Sequence, residues 1–333
     1  MKMILARSWG LVLLITIVAF LSLGFENGCN SDLSPFDPAE LYSHVTKIAG
    51  EIGTRNVEEP GNILASVYIS DKLKEYGLTN VHYDYFPDGY GNLYRNVAGI
   101  CPGTTYPDLI ILICAHFDTK KGVPGAVDNA TGIAALLEYA RYFSDNPAPY
   151  TINFVAFNAE ESGYYGSSYY HRKSLKSGEL ENTLMILNLD MVQSNASDPG
   201  APLVLFVLSP NNASIRSFSE AKAEIGQAAG NFYLIPAKTA SVLSLGLRTD
   251  ARFWIDDAII LCWPWAYDIY YNKPIDTCDK VDETGLAIST RFIFGFLTRM
   301  LKCEPEEFRE KILDYKVSPA LFKWLADKGG IKP

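Results

Sequence analysis

The feature that most constrains the fold is a series of short, mainly apolar segments, at residues 109–115, 151–157, 184–192 and 258–262. Runs of this length are typical of strands that are buried on both faces of a sheet. Segments with the apolar periodicity of helices lie between them, and this alternation predicts a doubly wound, mostly parallel twisted sheet flanked by helices. The expected fold is therefore an α/β/α sandwich.

Polar side chains lie near or just after the ends of three of these segments, or in the glycine-punctuated loop after the first. They are one histidine and five carboxylates: His116, Asp118, Asp128, Glu160, Glu161 and Asp190. In open parallel sheets, ligands bind outside the carboxyl ends of the strands. Taken singly, an aspartate is more often a cap or salt-bridge partner, and a buried histidine is more often a hydrogen-bonded core residue. Together, carboxylates crowded at one edge repel one another unless a cation is present, so the set predicts a metal site.

The residue types suggest which metal binds and what each group does. One imidazole with several carboxylates suits Zn²⁺ and tolerates Mn²⁺ or Co²⁺. Asp118 follows His116 by two residues on the same strand, so it is expected to accept the second imidazole N–H. Glu160 and Glu161 are adjacent and their side chains diverge, so one can bind metal while the other acts as a general base.

Composition and motifs exclude other classes of function. The formal net charge of −9 and the lack of a basic stripe with interleaved aromatic residues argue against a nucleic-acid binder. A serine hydrolase is a poor alternative because the sequence contains no Gly-x-Ser-x-Gly motif.

The N-terminus has a composition of its own. Lys2 and Arg7 precede an uncharged apolar run at residues 10–25, whose length lies between a signal-peptide core and a membrane span. A cleaved signal peptide and an uncleaved membrane anchor both remain open, and either predicts an extracytoplasmic protein, secreted or anchored. The predicted organisation is a signal or anchor at residues 1–35, an α/β domain at 36–303 and a C-terminal helical extension at 304–333.

Several motifs occur in an order that resembles a known family. They are Asn-Val-Ala-Gly at 96–99, Ala-His-Phe-Asp-Thr at 115–119, Gly-Ala-Val-Asp-Asn-Ala-Thr-Gly at 125–132, Ala-Glu-Glu-Ser-Gly-Tyr-Tyr-Gly-Ser at 159–167 and Asn-Leu-Asp-Met at 188–191. This pattern is similar to the M28 family of zinc-dependent aminopeptidases, over roughly residues 41–302.

The resemblance implies a pair of zinc ions and a peptide substrate with a free N-terminus. By motif position, His116 and Asp190 would hold one zinc, Asp128 would bridge, and Glu161 would bind the second. Glu160 would be the general base for a water between the two ions.

One position departs from the family pattern. Where the family has a histidine in Tyr-His-x-Pro-x-Asp-Thr, this chain has Asn272 in Tyr-Asn-Lys-Pro-Ile-Asp-Thr. An amide oxygen is a weaker zinc ligand than imidazole, so the second site is expected to be weak or to prefer Mn²⁺ or Co²⁺. Three functions remain open: an aminopeptidase, a one-metal relative acting on another amide as in glutaminyl cyclases, and a non-catalytic ectodomain that binds peptides or partners. Retention of Glu160, which metal binding does not need, favours the first over the third.

Overall fold

The structure is a computed structural model that describes residues 35–194, 206–208, 249–254, 259–263 and 269–306. The predicted signal or anchor lies outside these residues except for Pro35, as does all but the start of the predicted C-terminal extension. Within the described ranges, no helix combines the length and the apolar character that crossing a membrane requires.

Helices and strands alternate between β3 and β5, in the middle of the described chain. The helices are α1 (Pro38–Val45), α2 (Pro60–Glu75), α3 (Thr131–Asp145), α4 (Tyr165–Ser177), α5 (Glu179–Asn182) and α6 (Glu283–Met300). The strands are β1 (Thr79–Pro87), β2 (Leu93–Cys101), β3 (Tyr106–His116), β4 (Tyr150–Phe157), β5 (Thr183–Leu189), β6 (Phe206–Leu208) and β7 (Ile259–Trp263).

The strands form one mixed sheet in the order β1-β2-β4-β3-β5-β7-β6. Its four central strands, β4, β3, β5 and β7, are mutually parallel, while β1, β2 and β6 pair antiparallel at the two sides. Every residue of β4 and β5 is buried, as expected for strands covered on both faces. The predicted α/β class is confirmed.

The register of the parallel strands brings their carboxyl ends to the same level. His116 pairs with Phe157 across β3 and β4, and Cys114 pairs with Asn188 across β3 and β5. The residues that follow these three strands therefore emerge together at one edge of the sheet. This edge is where the sequence predicts the metal site.

A close approach between helix and strand fixes the start of α3 at this edge. A Cβ atom on Gly132 would lie 2.4 Å from the main-chain oxygen of Leu189, at the end of β5, so only glycine fits. The neighbouring Asn129 side chain donates to the same oxygen at 2.7 Å. The loop that carries Asp128 is thus held directly against the end of β5.

The third buried strand is shorter than the apolar run at 184–192 predicts, because β5 ends at Leu189. Met191 has a φ of 48°, and its N–H donates to the Asn129 side chain at 3.0 Å. The N–H of Val192 donates to the Thr131 hydroxyl at 3.1 Å. The N–H groups of Met191 and Val192 thus donate to side chains at 129 and 131 and not to a neighbouring strand. Asp190 is therefore the first residue beyond β5.

Candidate metal centre

Three of the predicted ligands form a compact buried cluster. His116 Nε2 lies 3.1 Å from Asp128 Oδ1 and 3.5 Å from Asp190 Oδ1. One ligand atom from each residue lies within 4.8 Å of the other two, and all three residues are buried. Among the described residues, Asp128 Oδ2 is buried with no hydrogen-bond partner. An imidazole nitrogen, two carboxylates and an unsatisfied buried oxygen fit a zinc ion.

His116 is oriented by Asp118, although not through the atom that the sequence predicts. Its Nδ1–H donates to the main-chain carbonyl of Asp118 at 3.2 Å, whereas the Asp118 carboxylate lies 3.8 Å away. The carboxylate is taken by other donors, since Oδ1 accepts the N–H of Glu160 at 3.0 Å and Oδ2 accepts the N–H of Glu161 at 3.1 Å. The carbonyl therefore fixes the tautomer that leaves the Nε2 lone pair facing the cluster.

The Asp128 loop is positioned by a residue distant in sequence. The buried carboxylate of Asp276 accepts the N–H groups of Val127 at 2.8 Å and Asp128 at 3.1 Å. Its main-chain carbonyl accepts the N–H of Ala126 at 3.2 Å. Asp276 thus binds main-chain groups of the loop from three successive residues.

Both glutamates lie in this acidic environment. Burial, together with the charges of Asp250, Asp190 and Glu161, raises the pKa of Glu160 well above its usual range, and His116 opposes this. Burial and the charge of Asp128 also raise the pKa of Glu161, which the Lys120 ammonium counteracts. Burial lowers the pKa of His116, but the surrounding carboxylates outweigh this and raise it well above 6.5. Binding of a cation at Nε2 therefore competes with protonation of the ring.

Two further carboxyl groups share the surplus of negative charge. Burial raises the pKa of Asp118 to about 6. Asp250 begins a short 3-10 turn (Asp250–Trp254), and burial raises its pKa to about 7, with Asp118 and Asp190 acting in the same direction. The charge of His116 and a hydrogen bond with Ser167 oppose this rise in the pKa of Asp250, but burial outweighs them. A divalent cation would relieve this repulsion.

Asn272 lies beside Glu161, where the sequence predicts the second metal ligand. Its φ is 55°, and its amide Nδ2 lies 3.5 Å from Glu161 Oε2. The adjacent Tyr271 has its pKa raised by burial and by the nearby carboxylates, Asp128 first among them. The ligand role of Asn272 stays a prediction.

Two cationic side chains at this edge were not predicted from the sequence to belong to the site. Arg55 is fully buried and donates to the carbonyls of Phe117 at 2.7 Å, Gly53 at 2.8 Å and Gly125 at 2.9 Å. Burial lowers its pKa to about 10, and the charge of Asp276 opposes this. Lys120 forms an ion pair with Glu161, with Nζ 2.9 Å from Oε2. Arg55 lies in a polar segment without periodicity, and nothing in that pattern predicts its burial. Lys120 directly follows the motif at residues 115–119, and this position could have identified it as part of the site.

Comparison with known proteins identifies the family. The model of peptidase family M28 matches residues 96–297. The aminopeptidase YwaD of Bacillus subtilis is 42% identical over 100 residues, covering 29% of this chain and 22% of that protein. A probable zinc metalloprotease of Pyricularia oryzae is 27% identical over 197 residues, covering 50% of this chain and 38% of that protein. These alignments span less than half the length of the curated relatives.

Solved structures share the fold. BSAP, a zinc aminopeptidase from Bacillus subtilis, superposes with a TM-score of 0.66 over 84% of this chain and 98% of that one, at 17% identity. A glutaminyl cyclase from Bacteroides thetaiotaomicron has a TM-score of 0.59 over 78% of this chain and 97% of that one, at 19% identity. At such identities the likeness shows the fold alone, whereas the family match covers most of the sheet and every predicted site residue. The chain belongs to peptidase family M28, a family of zinc metallopeptidases.

Proposed function

We propose that this protein is a metal-dependent aminopeptidase that removes N-terminal residues from peptides, with Glu160 as its general base. The observation that carries the proposal is the joint placement of the three-residue cluster and Glu160 at one edge of the sheet. The Asp118 carboxylate, which binds the main chain of both glutamates, sets this placement. The similarity to a Bacillus aminopeptidase supports the exopeptidase class.

The residues of the cluster would each have a defined task. His116, Asp128 and Asp190 would hold the ion, and a bound zinc supplies a Lewis acid that polarises the scissile carbonyl and acidifies water. The Glu160 carboxylate takes the proton from the attacking water and passes it to the leaving amine. Burial raises the pKa of this carboxyl group, which makes it a stronger base than an ordinary glutamate.

The electrostatics of the site favour a substrate with a free amino terminus. The carboxyl groups of Glu160 and Asp190 lie close together at the edge of the sheet, and an α-ammonium group is attracted to carboxylates. An acetylated N-terminus carries no charge and loses this attraction. Peptides with free N-termini are therefore the proposed substrates.

A second candidate is a one-metal relative that acts on a different amide. It is favoured by Asn272, because an amide nitrogen faces Glu161 at the position where the family pattern has the imidazole of a histidine. The glutaminyl cyclase fold likeness is compatible with this candidate but does not carry it. A non-catalytic peptide-binding ectodomain is less well supported, since such a protein has no need of Glu160.

One substrate panel separates these candidates. The zinc-loaded protein is assayed with aminoacyl p-nitroanilides, with their N-acetylated counterparts, and with peptides that begin with glutamine. Hydrolysis of the free-amine substrates alone is the expected result. Ammonia release from glutaminyl peptides without cleavage would favour the second candidate, and no reaction with any substrate would favour the binding protein.

The place of action remains a sequence-based proposal. The apolar run at residues 10–25 and its basic flank favour export or anchoring, so the catalytic domain is proposed to act outside the cytoplasm.

A further inference from the structure

The environment of Glu161 differs from that of the three-residue cluster. Lys120 Nζ lies 2.9 Å from Glu161 Oε2, and the same ammonium donates to the main-chain carbonyl of Glu161. The Glu161 side chain is only 5% exposed, whereas that of Lys120 is 45% exposed. The lysine therefore reaches in from the surface and binds a buried carboxylate through two acceptors of one residue.

Asn272 adds a second donor at the same carboxylate oxygen. Its amide nitrogen, not its oxygen, is the atom 3.5 Å from Glu161 Oε2. An oxygen that faces an ammonium and an amide N–H is already satisfied by positive hydrogen atoms. A metal ligand must instead present a free lone pair to the cation.

The two halves of the site thus differ in whether their side-chain atoms suit a metal ion. In the first, His116 Nε2 faces two carboxylates, and Asp128 Oδ2 has no partner among the described residues. In the second, the imidazole expected from the family is absent and a cation already lies on Glu161. The residues present fit one divalent ion and do not fit a second.

We infer that the Lys120 ammonium replaces the second metal ion, so that this protein binds one zinc per chain, at His116, Asp128 and Asp190. The ammonium neutralises Glu161 as a metal would, and it lacks the Lewis acidity of a metal. Loss of the histidine at position 272 and the presence of lysine at position 120 are then two parts of one exchange. The inference rests on the proposed metal site but not on turnover, so counting metal tests it independently of activity.

The test is elemental analysis of the full chain after equilibrium dialysis against buffered free zinc, over a range that ends well above saturation of the first site. Wild type should plateau at one zinc per chain. Asn272→His should also plateau at one, because the ammonium remains. Lys120→Met combined with Asn272→His should reach two, since the cation is gone and the imidazole is supplied.

Two further variants control for charge and for general effects of substitution. Lys120→Arg combined with Asn272→His retains a cation on Glu161 and should stay at one zinc. Lys121→Met is the matched control for removing a lysine: its side chain is 72% exposed and pairs with Glu58, so it should leave the wild-type stoichiometry unchanged.

Three other outcomes would overturn the inference, each for a different reason. Two tightly bound zincs in wild type would show that Lys120 does not exclude the second ion. One zinc in the Lys120→Met, Asn272→His variant, with its circular dichroism unchanged, would show that Lys120 is not what blocks the site. No zinc in wild type would refute the metal site on which the proposed function also depends.

Discussion

Asp118 accepts the main-chain N–H of Glu160 through its carboxylate Oδ1 at 3.0 Å. Asp118 follows the end of β3 and Glu160 follows the end of β4, so this bond joins the ends of two neighbouring central strands at the candidate site. The same residue orients His116 through its main-chain carbonyl. One aspartate therefore positions both a metal ligand and the proposed base.

Asp118→Asn tests this positioning role. The amide keeps one acceptor and places an NH₂ group against a main-chain N–H, so one charge-assisted hydrogen bond is lost. We expect the free energy of unfolding to fall by about 1–3 kcal/mol and kcat to fall by about 100-fold through misplacement of Glu160. Urea denaturation and steady-state kinetics measure both, with Asp108→Asn, an exposed aspartate of β3, as control. Wild-type values for both quantities would contradict the role.

Arg55→Lys tests the buried guanidinium. Arg55 joins the end of β3, through Phe117, to the loop before Asp128, through Gly125. Lysine retains the charge but not the planar set of donors, so it cannot reach both carbonyls. We expect a loss of roughly 3 kcal/mol in unfolding free energy and weaker zinc binding, measured by urea denaturation and zinc titration. The exposed Arg172→Lys is the control. A fully stable Arg55→Lys protein would show that charge alone suffices.

His116→Ala and Asp190→Ala test the metal cluster. Each removes one candidate ligand, so zinc retained after dialysis should disappear. Stabilisation by zinc should vanish with it, a term of about 2.7 kcal/mol when free zinc is 100 times Kd. Elemental analysis and thermal unfolding with and without zinc are the measurements. His82→Ala, on the edge strand β1, should behave as wild type. Unchanged zinc content in either ligand variant would falsify the assignment.

The buried carboxyl groups predict how the stability of the metal-free protein depends on pH. Asp250 has an ordinary pKa of 3.8 and a folded-state pKa of about 7, so between these values the folded state binds the proton more strongly than the unfolded state. The stabilisation from this proton is complete below about pH 4 and is lost as the pH rises through about 7. Asp118, with a pKa of about 6, acts in the same direction. Metal-free wild type should therefore lose stability from pH 5 to pH 8.

Asp250→Asn isolates one of these groups. The amide has no proton to lose, so the variant should lose less stability than wild type between pH 5 and pH 8, as measured by urea midpoints. Added zinc should restore wild type at pH 8 by neutralising the cluster. If the variant and wild type show the same pH dependence, Asp250 does not titrate as proposed.

The parts of the fold that follow from local chemistry were predictable. Short apolar runs identify the central strands, and the positions of His116, Glu160 and Asp190 just before or after the strand ends predict that they meet. The antiparallel pairing of β6 was not predictable, since strand direction depends on connections that a local pattern does not encode. The early end of β5 depends on side chains of the 129–131 loop, which are 60 residues away in sequence from the strand end.

The supporting interactions of the site could not be read from the sequence for a similar reason. Asp276 binds the Asp128 loop from 148 residues away, and Arg55 donates to carbonyls, which every residue carries. The partners are main-chain groups, so no particular residue type in the sequence indicates that these contacts form. The Lys120–Glu161 pair depends on the spacing between β3 and β4, which becomes known only when the sheet is assembled.

The most direct test of the central claim is the Glu160→Gln variant, assayed for zinc content and for hydrolysis of an aminoacyl p-nitroanilide in the same preparation. Glutamine preserves the shape of the side chain and the main-chain bond to Asp118 but cannot accept the proton. The account predicts that zinc content stays near wild type while kcat falls by at least about 100-fold, the lower range for loss of a general base. Wild-type turnover in a zinc-loaded Glu160→Gln protein would contradict the account.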